Sequence, residues 1–221
     1  MTVILIRHGR STSNTSGVLA GRSAGVELDE VGRDQAAGLV ARLDGAEIAA
    51  AVRSPLVRCA QTLGPLLAAH GLEATVDDRL AEVDYGQWTG RKISDLLSEP
   101  LWKVVQQQPS AVVFPDGEAL AAVQARAVAA VREHDRAVTE RYGPHALWVA
   151  CSHGDVIKSV IADAVGSHLD QFQRIVVNPA SMSVVSYGEA RPMVLCVNAT
   201  GAVSLPHKPP KEATVGGETG A

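Results

Sequence analysis

The sequence lacks the features of a membrane-spanning or secreted chain. None of its apolar runs approaches the ~18 residues that a helix needs to cross a bilayer. The segment from Met1 to Arg7 has no basic region ahead of its apolar run, and that run is too short for the core of a signal peptide. The three cysteines, Cys59, Cys151 and Cys196, are an odd number at wide spacings that match no zinc or disulfide pattern, so reduced thiols are expected. We therefore expect a cytoplasmic protein.

The sequence also lacks a surplus of positive charge. It has 20 Lys and Arg against 24 Asp and Glu, a net charge of −4. Nucleic-acid-binding modules usually carry a basic face, so this balance argues against a nucleic-acid partner and requires any phosphate recognition to be local. Hydrophobic residues make up 46 % of the 221 residues, which allows a sizeable core. We predict one domain over residues 1–205, and a disordered tail over 206–221, where Pro, Lys, Gly, Glu and Thr dominate.

The N-terminal stretch is the feature around which the other motifs are arranged. Apolar or β-branched residues at 2–6 run directly into Arg7, His8 and Gly9. A continuous apolar run of this kind is typical of a strand buried on both faces, and its charged end must emerge at the edge of the sheet. A cation and an imidazole at a strand end, followed by a glycine, suggest the floor of an anion site.

Further strands and helices alternate along the chain, which predicts a three-layer α/β/α sandwich with a mostly parallel central sheet. Asp29 is expected to cap a helix with Val31, Leu39, Val40 and Leu43 on its buried face. Ser54 and Pro55 are expected as the cap and first residue of the next helix. Irregular residues 77–117, with one or two short helices, are expected to form an insertion over the carboxyl edge of the sheet. The remaining elements are strands at 48–52, 74–76 and 146–151, helices at 118–141 and 155–165, and a final hairpin of strands 181–187 and 193–197.

A second predicted strand also ends in histidine and glycine, at His153 and Gly154. If this strand lies beside the first, His8 and His153 face one another across a single site, because ligands of such sheets bind outside the carboxyl strand ends. Arg58 lies near the start of a helix that begins at the same edge, so its side chain can reach back toward the site. Its guanidinium suits a phosphoryl group, with which it forms two parallel hydrogen bonds.

An acidic residue is also available near this edge. Glu82 follows a short predicted strand, and glycines nearby permit close backbone approach. Asp84 and Glu118 are alternatives, and the sequence alone does not decide which carboxylate faces the site.

These motifs, in this order, resemble the histidine phosphatase superfamily, the phosphoglycerate mutase-like family. The resemblance covers roughly residues 2 to 187, and any one motif would be weak evidence without the ordered set. The matching residues are Arg7-His8-Gly9 with Ser11 and Asn14, Ser54-Pro55-Leu56 with Arg58, Gln61 and Thr62, Glu82 with Gly86, Trp88 and Gly90, Pro115-Asp116-Gly117-Glu118, and Ser152-His153-Gly154.

The resemblance implies a metal-independent reaction without a cofactor, on a small phosphate ester. His8 would be the nucleophile that forms a phosphohistidine, and Glu82 the acid that protonates the leaving oxygen. The residues expected to hold the phosphate are Arg7, Arg58 and His153, with Ser11, Asn14, Gly154 and Arg10 as further contacts.

Physical chemistry adds three expectations to these roles. The attacking nitrogen of His8 must be unprotonated, and its other nitrogen should donate to a backbone carbonyl. We expect a cationic His153 and a Glu82 whose pKa is raised by burial or tuned by the bound phosphate.

The sequence departs from the family pattern at two positions. Arg10 and Thr89 stand where the family often has Glu. Arg10 either favours a second negative group on the substrate or is a solvated loop residue, and both interpretations stay open. The mutases resemble one another in having further arginines after the acid; here that stretch has only Arg91, Lys92 and Lys103, which favours a phosphatase.

Three alternatives to a histidine acid-type phosphatase stay open: a phosphoglycerate-type mutase, a metallohydrolase using His8, His153 and Glu82 as ligands, and a non-catalytic protein that binds phosphate compounds. The metallohydrolase is disfavoured because its ligands come singly from distant segments. The segment 85–114 is expected to shape the leaving-group pocket, unless Trp88 and Trp102 are core residues. A homodimer is also left open.

Overall fold

The computed structural model of the chain describes residues 1–188, 191–203 and 205. Its centre is a six-stranded sheet in the order β3-β2-β4-β1-β5-β6. Neighbouring strands are parallel from β3 to β1, and β5 runs antiparallel to both β1 and β6. The strands are β1 (Thr2–Arg7), β2 (Ile48–Arg53), β3 (Ala74–Val76), β4 (Leu147–Ser152), β5 (Met182–Tyr187) and β6 (Pro192–Ala199). The mostly parallel sheet and the final hairpin are as predicted.

Helices cover both faces of the sheet, so the three-layer prediction is confirmed. The helices are α1 (Thr12–Ser16), α2 (Glu30–Arg42), α3 (Val57–His70), α4 (Ile93–Leu96), α5 (Pro100–Gln107), α6 (Leu120–Tyr142) and α7 (Gly154–Ala164). Helices α2 and α3 pack with Ile4 and Ile6 of β1 on one face. Helices α6 and α7 pack with Val3 and Leu5 on the other, as a strand buried on both faces requires. Within the described residues, no helix is both long enough and apolar enough to span a membrane.

The irregular segment after β3 holds α4, α5 and short 3₁₀ turns, and it packs beside α6. Trp88 is only 3 % exposed and its ring stacks on Trp102 at a centroid distance of 6.1 Å. Trp88 therefore belongs to the core, and the half-buried Trp102 packs against it, which was the alternative to a substrate-binding role. The domain boundary at 205 stays a prediction, and the tail 206–221 lies outside the described residues.

The start of α3 differs from its prediction. The helix begins at Val57 with Leu56 as its N-cap, so Ser54 and Pro55 precede it. The Ser54 hydroxyl lies 2.8 Å from Nε2 of His153 instead of capping the helix by its side chain. Ser54, which the sequence predicts as the helix cap, therefore contacts His153 at the sheet edge instead.

The buried face of α2 agrees with its prediction at Leu39 and Leu43 but not at its first turn. Asp29 caps the helix as expected, but Val31 is 40 % exposed and Gly32 faces inward. A Cβ at Gly32 would collide with the carbonyl oxygen of Arg10, so the backbone after β1 packs directly on the first turn of α2. This close approach helps to fix the turn that follows His8.

Candidate active site

The strand ends bring the two histidines together. In the parallel pairing of β1 and β4, Arg7 lies opposite Ser152, so His8 and His153 follow at equivalent positions. The His8 amide donates to the Ser152 carbonyl at 3.0 Å, and the two imidazole centroids lie 5.2 Å apart. One edge of the sheet therefore holds both side chains.

His8 has a defined tautomer. Its Nδ1 lies 2.7 Å from the carbonyl oxygen of Gly9, which can only accept, so Nδ1 carries the proton and Nε2 has a free lone pair. Burial, together with the positive charges of Arg58 and Arg7, lowers the pKa of His8 to about 3. The expected backbone contact is confirmed, and the imidazole is neutral over the physiological range.

His153 is fully buried and forms the N-cap of α7. Its Nε2 lies 2.8 Å from the Ser54 hydroxyl, which also accepts from the Leu56 amide at 3.3 Å. That hydroxyl can donate to Nε2, and in this tautomer the proton lies on Nδ1, the buried nitrogen without a partner among the described residues. Burial, then the positive charge of Arg58, holds the pKa of His153 well below its usual value. This shift favours the neutral ring, which offers one N–H, over the cationic His153 that the sequence analysis expected. The charge of His153 beside a bound phosphate stays a prediction.

Two arginines, the buried Arg58 and the half-buried Arg7, complete the floor of the site. Arg58 is 2 % exposed, and its Nη2 donates to the Gly21 carbonyl at 2.8 Å. Nη1 of Arg7 donates to the Val177 carbonyl at 2.6 Å. Arg7 Nε, Arg58 Nη1 and His153 Nδ1 are buried and have no hydrogen-bond partner among the described residues. Since an unsatisfied buried polar group costs roughly 1–3 kcal/mol, three of them at one place indicate a site built for a ligand with several acceptor oxygens.

Glu82 is the carboxylate that faces this floor. Its Oε2 lies 3.9 Å from His153 Nδ1, and burial, followed by the negative charge of Asp155, raises the pKa of Glu82 to about 7. The two alternatives are engaged elsewhere. The Asp84 carboxylate accepts from the Gly86 amide at 3.0 Å. Glu118 pairs with arginines at 2.8 and 2.9 Å, and against the effect of its burial their hydrogen bonds and charges lower its pKa.

Two arginines that sequence reasoning missed hold the backbone around Glu82. Arg126 donates through Nη1 to the carbonyl oxygens of Arg79 and Ala81 at 2.6 and 2.8 Å, and through Nη2 to that of Glu82 at 3.2 Å. Nε of Arg22 donates to the same Glu82 carbonyl at 2.9 Å. Carbonyls of an irregular segment need such partners when no strand pairs with them. Their pattern is not visible in a sequence because the donors come from distant segments.

A cavity of about 410 Å³ opens at this edge. Of the residues predicted to form the site, those that line it are Arg7, His8, Ser11, Asn14, Arg58, Glu82 and Gly154. His153 lies beneath this surface. Arg10 lies outside the cavity, where its Nε pairs with Asp29 at 2.6 Å and its side chain is 41 % exposed. Ser11 and Asn14 also cap α1 reciprocally, which uses the Asn14 side-chain oxygen and leaves its amide nitrogen to donate.

The polar lining of the cavity includes residues that the sequence analysis did not identify. Asp155 accepts from the Tyr85 hydroxyl at 2.9 Å and from Lys158 at 3.3 Å. Asp155 directly follows Gly154 in the first turn of α7, and Lys158 is three residues further on the same face. The same strand-end reasoning that identified His153 could have found this pair.

The outer wall of the cavity is apolar. The sequence analysis assigned the leaving-group pocket to the segment 85–114, which supplies only part of the lining. We call this wall the apolar rim; it consists of Val18, Leu19, Ala20, Ile93, Ile175, Val176 and Val177. From the segment 85–114, Tyr85 and Ile93 line the cavity. Most of the rim comes from the loop after α1 and from the residues before β5.

Within the described part of the chain, no three or more His, Cys, Asp or Glu side chains are grouped so that they could hold a metal ion. His8, His153 and Glu82, the ligands considered for a metallohydrolase, therefore do not form such a group.

Known proteins are similar to this chain in sequence and in fold. The family model "Histidine phosphatase superfamily (branch 1)" matches residues 3–200. "Phosphoserine phosphatase 1" of Hydrogenobacter thermophilus is 29 % identical over 204 residues, covering 90 % of this chain and 92 % of that protein. A Mycobacterium tuberculosis protein named as bifunctional is 32 % identical over 204 residues, but this chain spans only 54 % of it. The solved structure of mycobacterial glucosyl-3-phosphoglycerate phosphatase with VO3 has a TM-score of 0.79 at 24 % identity, covering 90 % of this chain and 98 % of that one, and shares the fold.

Proposed function

This chain belongs to the histidine phosphatase superfamily, and we propose that it hydrolyses small phosphomonoesters through a phosphohistidine formed on His8. The single observation that carries the proposal is that Arg7, Arg58 and His153 each keep a buried nitrogen without a partner at the sheet edge that also holds His8. A phosphoryl group supplies three oxygens to such donors and an electrophilic phosphorus to the nucleophile. A relative named as a phosphatase, which aligns over 90 % of this chain, supports the reaction class.

In the first step, Nε2 of His8 forms a bond to phosphorus while the bond from phosphorus to the alcohol oxygen breaks. Glu82, protonated because its pKa is raised to about 7, gives its proton to that oxygen. The two arginines and the His153 N–H stabilise the charge on the phosphoryl oxygens, and burial strengthens each contact. The products are a phosphohistidine, an alcohol and a Glu82 carboxylate.

In the second step, water attacks the phosphohistidine. The Glu82 carboxylate accepts a proton from this water, the bond between nitrogen and phosphorus breaks, and inorganic phosphate leaves. His8 returns to its neutral form. Dividing one displacement into two in this way requires no further group. The raised pKa of Glu82 supports the acid-type description, because the protonated form that starts the reaction is depleted above about pH 7.

Trapping the intermediate tests this function. After rapid mixing with a ³²P-labelled phosphate ester, the wild-type chain should retain acid-labile, base-stable label, and His8→Ala should retain none and lose roughly 10³-fold or more in kcat/KM. His145→Ala, which removes an exposed histidine far from the cavity, is the matched control and should behave as wild type. A wild-type chain that is inert toward a broad ester panel, or full activity in His8→Ala, would overturn the proposal.

Two arrangements favour water over a second hydroxyl as the acceptor. Arg91 is paired with Glu99 at 2.7 Å and does not line the cavity, so it is not placed to grip a second phosphate. Lys158 lines the cavity but is paired with Asp155. Primer-dependent isomerisation of a phosphoglycerate would favour the mutase, and activity lost in excess chelator would favour a metallohydrolase. The cytoplasmic location and a homodimer stay predictions.

A further inference from the structure

The exposure of the apolar rim is the observation that the proposed reaction does not use. Val176 is 58 % exposed and Ile93 is 40 % exposed, and both line the opening of a cavity whose floor is charged. They come from different segments, one in the stretch before β5 and the other at the start of α4. Exposed aliphatic side chains scattered singly need no explanation. Here, however, Val176 and Ile93 adjoin the half-buried Val18, Leu19, Ala20 and Ile175 and the buried Val177 at one opening, and the exposed part of this surface gains from being covered.

The cations around the cavity are already engaged. Lys158 Nζ lies 3.3 Å from Asp155 and 3.2 Å from the Gln173 side-chain oxygen. Arg7 Nε and Arg58 Nη1 are the buried, unpartnered nitrogens that the proposed reaction assigns to the phosphoryl group. Among the described residues that line the cavity, these three are the cations. A second acidic group on a substrate would therefore meet the carboxylate of Asp155 beside a lysine that this carboxylate already neutralises.

Resting on the proposed function, we infer that the apolar rim binds the alcohol part of the substrate and selects an aliphatic or aromatic group over one with a second acid. The floor holds the phosphoryl group that every ester shares. The rim then distinguishes esters by how much apolar surface the alcohol covers. A difference of one or two methylene groups in such a pocket changes affinity by roughly 10-fold.

Binding of phosphonates, which cannot be hydrolysed at the carbon–phosphorus bond, tests this inference separately from catalysis. Isothermal titration calorimetry on the full chain would compare benzylphosphonate, methylphosphonate and 2-amino-4-phosphonobutanoate, which carries the carboxylate and ammonium of phosphoserine. We expect benzylphosphonate to bind at least about 10-fold more tightly than either of the others. Val176→Asn should weaken benzylphosphonate about 5-fold and leave methylphosphonate within about 2-fold.

Val165→Asn is the matched control, because Val165 is 55 % exposed at the end of α7 and does not line the cavity. It should leave all three affinities unchanged. Equal or tighter binding of the aminophosphonobutanoate, no measurable binding of benzylphosphonate, or an equal effect of Val176→Asn on every phosphonate would overturn the inference. If the phosphonate preference holds while no ester is hydrolysed, the proposed function is wrong and the inference about the rim stands. If esters are hydrolysed without that preference, the inference is wrong and the proposed function stands.

Discussion

The floor and the apolar rim face the same cavity but differ in burial, polarity and origin. Arg58 and His8 in the floor are 2 % and 3 % exposed, and their partners are backbone carbonyls. Val176 and Ile93 in the rim are 58 % and 40 % exposed. The floor is mounted on strand ends and on the first turn of a helix, whereas the rim, apart from Ile93 at the start of α4, is mounted on connecting segments. A rigid floor suits a reaction that every substrate shares, and a rim on loops can differ between relatives without disturbing it.

Breaking the floor should therefore affect all substrates equally. Arg58→Ala removes one phosphoryl donor and should reduce kcat/KM by about 10²–10³-fold, with the same factor for phenyl phosphate and phosphoserine. Arg58→Lys keeps the charge but not the fork and should recover only part of the activity. Steady-state kinetics on both esters measure the factors, and circular dichroism checks that the variants fold.

Arg53→Ala is the control for loss of an arginine nearby, since Arg53 ends β2 and does not line the cavity. A loss in Arg58→Ala that is tenfold larger for one ester than for the other would contradict the division between floor and rim.

A smaller effect is expected from Asp155→Asn, which should change proton transfer by Glu82 and not the binding of the phosphoryl group by the floor. Burial first, then the negative charge of Asp155, raises the pKa of Glu82, while Arg58 opposes the shift. Asp155→Asn removes one raising cause, so Glu82 should lose its proton at lower pH and the alkaline limb of kcat/KM should move down by roughly half to one pH unit. The pH profile on phenyl phosphate measures this shift.

Other charged or titratable groups face the same space, so their contributions need separate variants. These groups are Arg7, Arg58, His8, His153, Tyr85 and Lys158. Tyr85→Phe removes the hydrogen bond to Asp155 without changing its charge and should leave the limb nearly in place. Asp163→Asn, on the same helix but away from the cavity, is the matched control. If the alkaline limb of kcat/KM does not move in Asp155→Asn, or if it persists in Glu82→Gln, the limb belongs to a group other than Glu82.

The sequence predicted the floor of the cavity better than the apolar rim. Apolar runs that end in Arg7-His8-Gly9 and Ser152-His153-Gly154 locate strand ends, and parallel strands necessarily present those ends at one edge. The protonation of His153 could not be predicted, because it depends on burial and on how near Arg58 comes. The rim could not be predicted either, since exposed Val and Ile in loops carry no periodic signal.

The smallest effect is expected at Arg10, which follows the floor in sequence but lies outside it. Its Nε pairs with Asp29 at 2.6 Å, and its side chain is 41 % exposed. A solvent-screened ion pair of this kind contributes little to stability. Arg10→Ala should therefore change kcat/KM by less than about 2-fold for esters with and without a second acid. Kinetics on phenyl phosphate and phosphoserine check this. A loss confined to phosphoserine would mean that Arg10 turns from Asp29 toward the substrate, and would give the site the second anion contact that its cavity-lining cations lack.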